Sequence, residues 1–165
     1  MKSKTKAVIG VAATIVAGLV VATPLIKLTS PVVAAGNIPS GVSVHGVAKE
    51  LKDDNYFNVY LTTQGPATIS SQVASFQAGG ENGWHSHPGL VTVTLTQGSI
   101  VWYDGNCKPT IYNAGDAWVE GSQIHMFRTL GNATVLLYAT FITAQDEPLR
   151  TDEPEPPCAA AMGLS

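Results

Sequence analysis

The sequence predicts an all-β domain, a sandwich or barrel of short strands, following an apolar N-terminal segment. Two observations carry this. Past residue 36, helical periodicity is almost absent, and short runs rich in β-branched and aromatic residues recur at close spacing with turn residues between them. The stretch from Asn37 to Ser165 is also near the commonest size of one domain, enough for a single core and too short for two.

The N-terminus reads differently. Lys2, Lys4 and Lys6 precede Ala7 to Ile26, which carries no charge. A basic start, an apolar stretch and small residues form the layout of a secretory signal. Small-residue cleavage sites follow Ala22 and Ala35. The apolar stretch is also long enough to span a bilayer, so an uncleaved membrane anchor is the alternative. Residues 1–35 are therefore read as signal peptide or anchor, 37–145 as the β domain and 146–165 as a tail. Both readings of the leader place the domain outside the cytoplasm, secreted or anchored, with membrane contact only if the segment stays uncleaved.

The β-rich runs are Thr68–Phe76, Leu90–Thr96, Ser99–Tyr103, Thr110–Tyr112, Ala117–Val119, His125–Leu130 and Thr134–Ile142. Turn signals separate them at Gly79-Gly80, Gln97-Gly98, Asp104-Gly105-Asn106, Ala114-Gly115-Asp116, Glu120-Gly121 and Gly131-Asn132. Val47–Asn58 is polar and mixed, compatible with a short helix or an edge strand. The tail holds Pro148, Pro154, Pro156 and Pro157 among acidic residues, and such a segment stays extended and solvated unless something ties it down.

Charge and cysteines narrow the function. Past residue 36 there are five basic residues against twelve acidic ones, a net charge of −7. Such a surface cannot neutralise a run of phosphates, which excludes nucleic acid as the expected partner and favours a small-molecule ligand. Cys107 and Cys158 both lie in the exported part, where an even pair reads as a disulfide. That bridge would tie the tail to the loop carrying Cys107. Two thiol metal ligands are the competing reading, although neither cysteine has a neighbour at ligand spacing.

The one dense cluster of chemistry is Trp84-His85-Ser86-His87-Pro88-Gly89, followed by Ile124-His125-Met126; His45 lies apart. In a strand, side chains two apart share a side, so His85 and His87 would project into one space, and His125 is the natural third ligand. Imidazoles suit Fe, Ni, Cu and Zn, and Mn is also admissible, so a divalent metal is the expected cofactor without a choice among these. Glu81, Trp84 and Gln123 are candidate pocket residues: Glu81 as a substitute ligand or base, Trp84 as a cover beside His85, and Gln123 on the inward face with His125. Arg128 reads as a surface charge.

These residues resemble the cupin superfamily. Gly79, His85, His87 and Gly98 fall on the spacing of its first motif, G-x5-H-x-H-x(3,4)-E-x6-G, with Val91 at the glutamate position. Gly115 and His125 resemble the ends of its second motif with one residue fewer between them and no proline. The likeness covers Thr68 to Thr143, and the stretch from Gly79 to Cys107 is similar to small exported bacterial cupins of uncharacterised function. The resemblance implies a double-stranded β-helix, or jelly-roll barrel, with the metal in its open mouth. It also implies that homodimers are to be expected. Three-histidine centres occur among cupins that oxidise thiols or cleave diketones, so a metal-dependent dioxygenase acting on a small molecule is one expectation, and a non-catalytic ligand- or metal-binding cupin the other. No catalytic residue is assigned, and the loss of the glutamate leaves a centre of three nitrogens without a carboxylate.

Overall fold

The computed structural model describes residues 30–48 and 57–164. In chain order these residues form β1 (Val32–Ile38), β2 (Val42–Ala48), β3 (Phe57–Thr63), β4 (Ala67–Phe76), β5 (His85–Ser86), β6 (Leu90–Gln97), β7 (Ser99–Asp104), β8 (Pro109–Asn113), β9 (Ala117–Glu120), β10 (His125–Leu130), β11 (Val135–Ala144), β12 (Thr151–Asp152) and a one-turn helix α1 (Pro157–Ala161). Each of the seven β-rich runs becomes a strand. Val47–Asn58 contributes its ends to β2 and β3, and its middle lies outside the described residues.

The strands make two five-stranded antiparallel sheets, ordered β1-β4-β11-β6-β9 and β12-β5-β10-β7-β8, with β2 and β3 forming a separate hairpin. Stripped of their edge strands, the sheets read β4-β11-β6-β9 against β5-β10-β7-β8. That order is the jelly roll, two interlocked Greek keys in which the chain crosses repeatedly between facing sheets. The expected fold class therefore holds.

Alternation sets the core. Along β6, Val91, Val93 and Leu95 turn inward while their neighbours are exposed; along β11, Val135, Leu137, Ala139 and Phe141 turn inward between neighbours that are half-buried or exposed. Ile100 and Phe127 meet them from the second sheet, with Phe127 edge-on to Phe76 at 4.8 Å between ring centres. Each fully buried aliphatic or aromatic side chain of this kind contributes roughly 1.5–3 kcal/mol. The β6–β7 turn needs Gly98: its φ is +80°, and a Cβ there would stand 2.9 Å from both Thr134 O and Val135 Cγ2.

The C-terminal segment is more ordered than a solvated tail. β12 pairs with β5, placing Asp152 opposite His85 and Thr151 opposite Ser86. Beyond it, the Cys107–Cys158 disulfide joins α1 to the β7–β8 loop. Ala159 and Leu164 bury themselves with Trp84, Cys107 and Met126 in a second small core. Leucine and alanine anchors thus fasten a segment whose prolines and acidic residues otherwise face water. The expectation that the segment is tied down holds, and the tie is wider than one bond.

At the N-terminus, Val32–Ala35 belong to β1, which pairs with β4. The candidate cleavage site after Ala35 thus falls inside a paired strand, and the one after Ala22 lies outside the described residues, as does the apolar stretch 7–26. Among the described residues no helix is long and apolar enough to cross a membrane.

The disulfide closes a loop with a sequence separation of 51 residues. Its removal by Cys158→Ser should lower stability by about 2–4 kcal/mol. Denaturant melts of the variant, and of the parent protein with and without reductant, measure this; coincident melts would show that the apolar anchors alone hold the segment.

Candidate metal centre

The histidines lie where the facing sheets come together at one end of the barrel. The segment Trp84-His85-Ser86-His87 alternates like a strand. His85 and His87 turn inward, whereas Trp84 packs into the second core and Ser86 Oγ donates to Glu153 Oε1 at 2.7 Å. β10 carries His125 directly opposite His85, and pairs it on its other side with Asp104 of β7. The three rings lie 4.4–5.1 Å apart, centre to centre, and their ligand atoms fall within 4.8 Å of one another. All three side chains are buried.

Each ring is fixed through Nδ1. His85 Nδ1 stands 2.8 Å from Gly83 O, His87 Nδ1 2.7 Å from Leu149 O, and His125 Nδ1 2.8 Å from Gln123 O. A carbonyl only accepts, so every Nδ1 donates, and the lone pair of a neutral ring is left on Nε2. That arrangement orients metal-binding histidines.

The carboxylate absent at residue 91 comes from the neighbouring strand. In the pairing of β6 with β9, Val91 lies opposite Glu120. Val91 fills the core, and Glu120 points into the site, its side chain 7% exposed. Its Oε2 is 3.3 Å from His87 Nε2 and 3.4 Å from His125 Nε2. Its Oε1 accepts the indole N–H of Trp118 at 2.7 Å and of Trp102 at 3.0 Å. Trp102 also stacks on the His125 ring. The three histidines remain the group able to hold a metal ion, and a carboxylate not foreseen from the sequence, Glu120, faces two of them.

This geometry fits a cation. His87 Nε2 and His125 Nε2 are buried without a hydrogen-bond partner, although a carboxylate oxygen faces both. Two lone pairs and an anion converging in a buried space repel one another unless a positive charge lies between them. A tetrahedral ion with bonds of about 2.1 Å would hold its ligands about 3.4 Å apart, which matches the Glu120 contacts. The other cation able to take that place is a proton. Burial lowers the His125 pKa, but the Glu120 hydrogen bond and charge outweigh it and raise the value above 6.5. Burial and the charges of His125 and Arg150 lower His85 to about 3, so its lone pair stays available. Glu120 is held ionised: burial would raise its pKa, yet His125, His87 and Trp118 bring it well below the ordinary range.

The other candidates have different roles. Glu81 binds Arg128 Nε at 2.7 Å and is not a ligand; Arg128, also donating to Gly163 O, is a tie to the C-terminus and no ordinary surface charge. Gln123 precedes β10 with an exposed side chain, and only its carbonyl serves the site. Trp84 borders the cavity but donates its indole N–H to Leu164 O, on the opposite side of the strand from His85. Cys107 and Cys158 are disulfide-bonded, which removes the thiol-ligand alternative. His45 stacks on Tyr60 in the hairpin. Glu120 was legible in principle: it shares strand parity with Trp118, so an inward Trp118 implies an inward carboxylate.

Glu120→Gln should lower metal affinity at least about tenfold, since it removes the carboxylate charge that faces His87 and His125 while keeping an oxygen for the indoles. A chelator-competition titration checks this. The same titration should show affinity falling as pH drops through the raised His125 pKa, because the ligand must lose its proton before it binds.

No protein-family model and no curated protein matches the chain. Solved structures similar to it include an uncharacterised conserved protein with a double-stranded β-helix domain from Klebsiella pneumoniae (20% identity, 68% of this chain and 85% of that one, TM-score 0.45). An RmlC-like cupin from Shewanella frigidimarina is 18% identical over 47% of this chain and 68% of its own, with TM-score 0.41. An oxalate oxidase in complex with the substrate analogue glycolate is 18% identical over 59% and 57%, with TM-score 0.44. By its own strand order, the chain has the jelly-roll barrel of the cupins, the superfamily its histidine motif resembles.

Proposed function

We propose that the protein is an exported metal protein whose His85, His87, His125 and Glu120 hold one divalent ion, and that it is a dioxygenase-type enzyme acting on a small molecule at the barrel mouth. The observation that carries the metal reading is the convergence of buried, unpartnered Nε2 atoms on an ionised carboxylate. Imidazole with one carboxylate suits Fe, Ni, Cu, Mn or Zn. When bound, such an ion supplies Lewis acidity and, for the redox metals, electron transfer.

Oxygenation fits better than hydrolysis. Beside the ligands opens a cavity of about 790 Å³, walled by Val93, Leu137 and Phe141 among others. Its remaining acidic side chains, Glu81 and Asp152, are ion-paired with Arg128 and Arg150. A hydrolase needs a positioned acid or base, whereas chemistry centred on a metal needs a dry pocket and an open coordination position. The same committed acids also favour the second reading, a cupin that binds a small ligand or metal without turning it over. Export is supported by the leader and by the disulfide, a bond that persists in oxidising compartments.

Metal analysis of the protein after supplementation with each of the five ions should find about one per chain, and none in His87→Ala. A thermal shift should accompany uptake, since a ligand that binds only the folded state stabilises it. Oxygen consumption with diols, diketones or thiols, abolished in His85→Ala, would establish the enzyme. Metal uptake with no turnover of any of them would leave the binding protein, and no uptake would overturn both readings.

A further inference from the structure

The cavity carries a charge imbalance that points to the class of its ligand. The three imidazoles are neutral when they ligate through Nε2, so a divalent ion with Glu120 alone leaves one uncompensated positive charge. The walls around it are apolar, and an uncompensated charge in such surroundings is costly. The rim does not cancel it, because Asp152 is paired with Arg150 and Glu81 with Arg128.

Arg150 is the only Lys or Arg among the described residues lining the cavity. It sits on the loop between β11 and β12, one residue past the Leu149 carbonyl that fixes His87. Its Nη1 donates to Asn82 O at 2.9 Å, its Nε to Asp152 Oδ1 at 2.8 Å, and Nη2 also meets Asp152. A guanidinium has five N–H donors, so two remain after these three bonds among the described residues. A Cβ built on Gly83 would lie 4.0 Å from Nη2, which places the group over the turn that leads into His85.

Resting on the metal-centre reading above, we infer that the cavity selects a small organic monoanion, its carboxylate drawn between the metal centre and the free N–H groups of Arg150 and its apolar body against Val93 and Phe141. One negative charge neutralises the centre, and the carboxylate matches the donors that the guanidinium still offers. Arg150 adds to the preference that the charge of the centre gives for the anion over a neutral molecule of the same shape, by offering donors that the carboxylate can take.

The test is a calorimetric titration of the metal-loaded full chain with acetate, butyrate and benzoate, each against its amide. At least one carboxylate should bind about ten- to a hundredfold tighter than its amide. Arg150→Gln should reduce that preference severalfold with metal stoichiometry unchanged, the part due to the charge of the metal centre remaining, and Arg150→Lys should restore part of the loss, which a purely structural change would not. Equal binding of acids and amides, a preference unaffected by Arg150→Gln, or no binding of any member to a metal-loaded chain would overturn the inference alone. Failure to load metal would overturn the metal centre and the inference together.

Discussion

Glu120 is held in an environment that a lone carboxylate would not tolerate, and the rest of the site follows from how it is held. One oxygen takes two indole N–H bonds, from Trp118 on its own strand and Trp102 on the facing sheet. The other is left to the Nε2 atoms of His87 and His125. The tryptophans hold the group without supplying a full positive charge, so the demand for one is passed to the space among the histidines. Because β9 belongs to one sheet and β5 and β10 to the other, a cation there would also join the two sheets.

The C-terminal segment completes this arrangement from outside. It supplies the carbonyl that sets the His87 tautomer, the strand that pairs with β5 and the Glu153 carboxylate that takes the Ser86 hydroxyl. A two-residue strand such as β5 has little rigidity of its own. Flanked by β10 and β12, and with Trp84 buried under α1 and Leu164, it becomes the stiffest way to present two histidines on one side. The disulfide matters to the site through this support, not through any contact with the ligands.

Much of this was legible in the residues. The His-x-His pair, its glycines and the alternation of β6 and β11 are local patterns, and local patterns survive in a sequence read alone. The longest strands were placed within two residues of their ends. Glu120 was hidden because its role depends on register: nothing along the chain says that residue 120 lies across from residue 91. Reading Glu120-Gly121 as a turn signal also took it out of the strand whose parity would have turned it inward. β5 and β12 were missed because two-residue strands have no period, and their pairing rests on partners 40 to 67 residues away. Arg128 and Glu81 are a similar case, an ion pair joined across a β-bridge.

The exchange of Val91 and Glu120 shows which property of the centre is constrained. A carboxylate on β6 and one directly opposite on β9 approach the same space from adjacent strands, about 4.5–5.5 Å apart at Cβ, a gap that a glutamate side chain spans. A metal held by the histidines would meet an oxygen at that point from either strand. The β9 route has one consequence that the β6 route would lack. Glu120 lies beside Gly121, whose carbonyl accepts the His87 backbone N–H at 3.1 Å. The segment that carries Glu120 thereby also anchors the backbone of His87, so the positions of the two side chains are coupled.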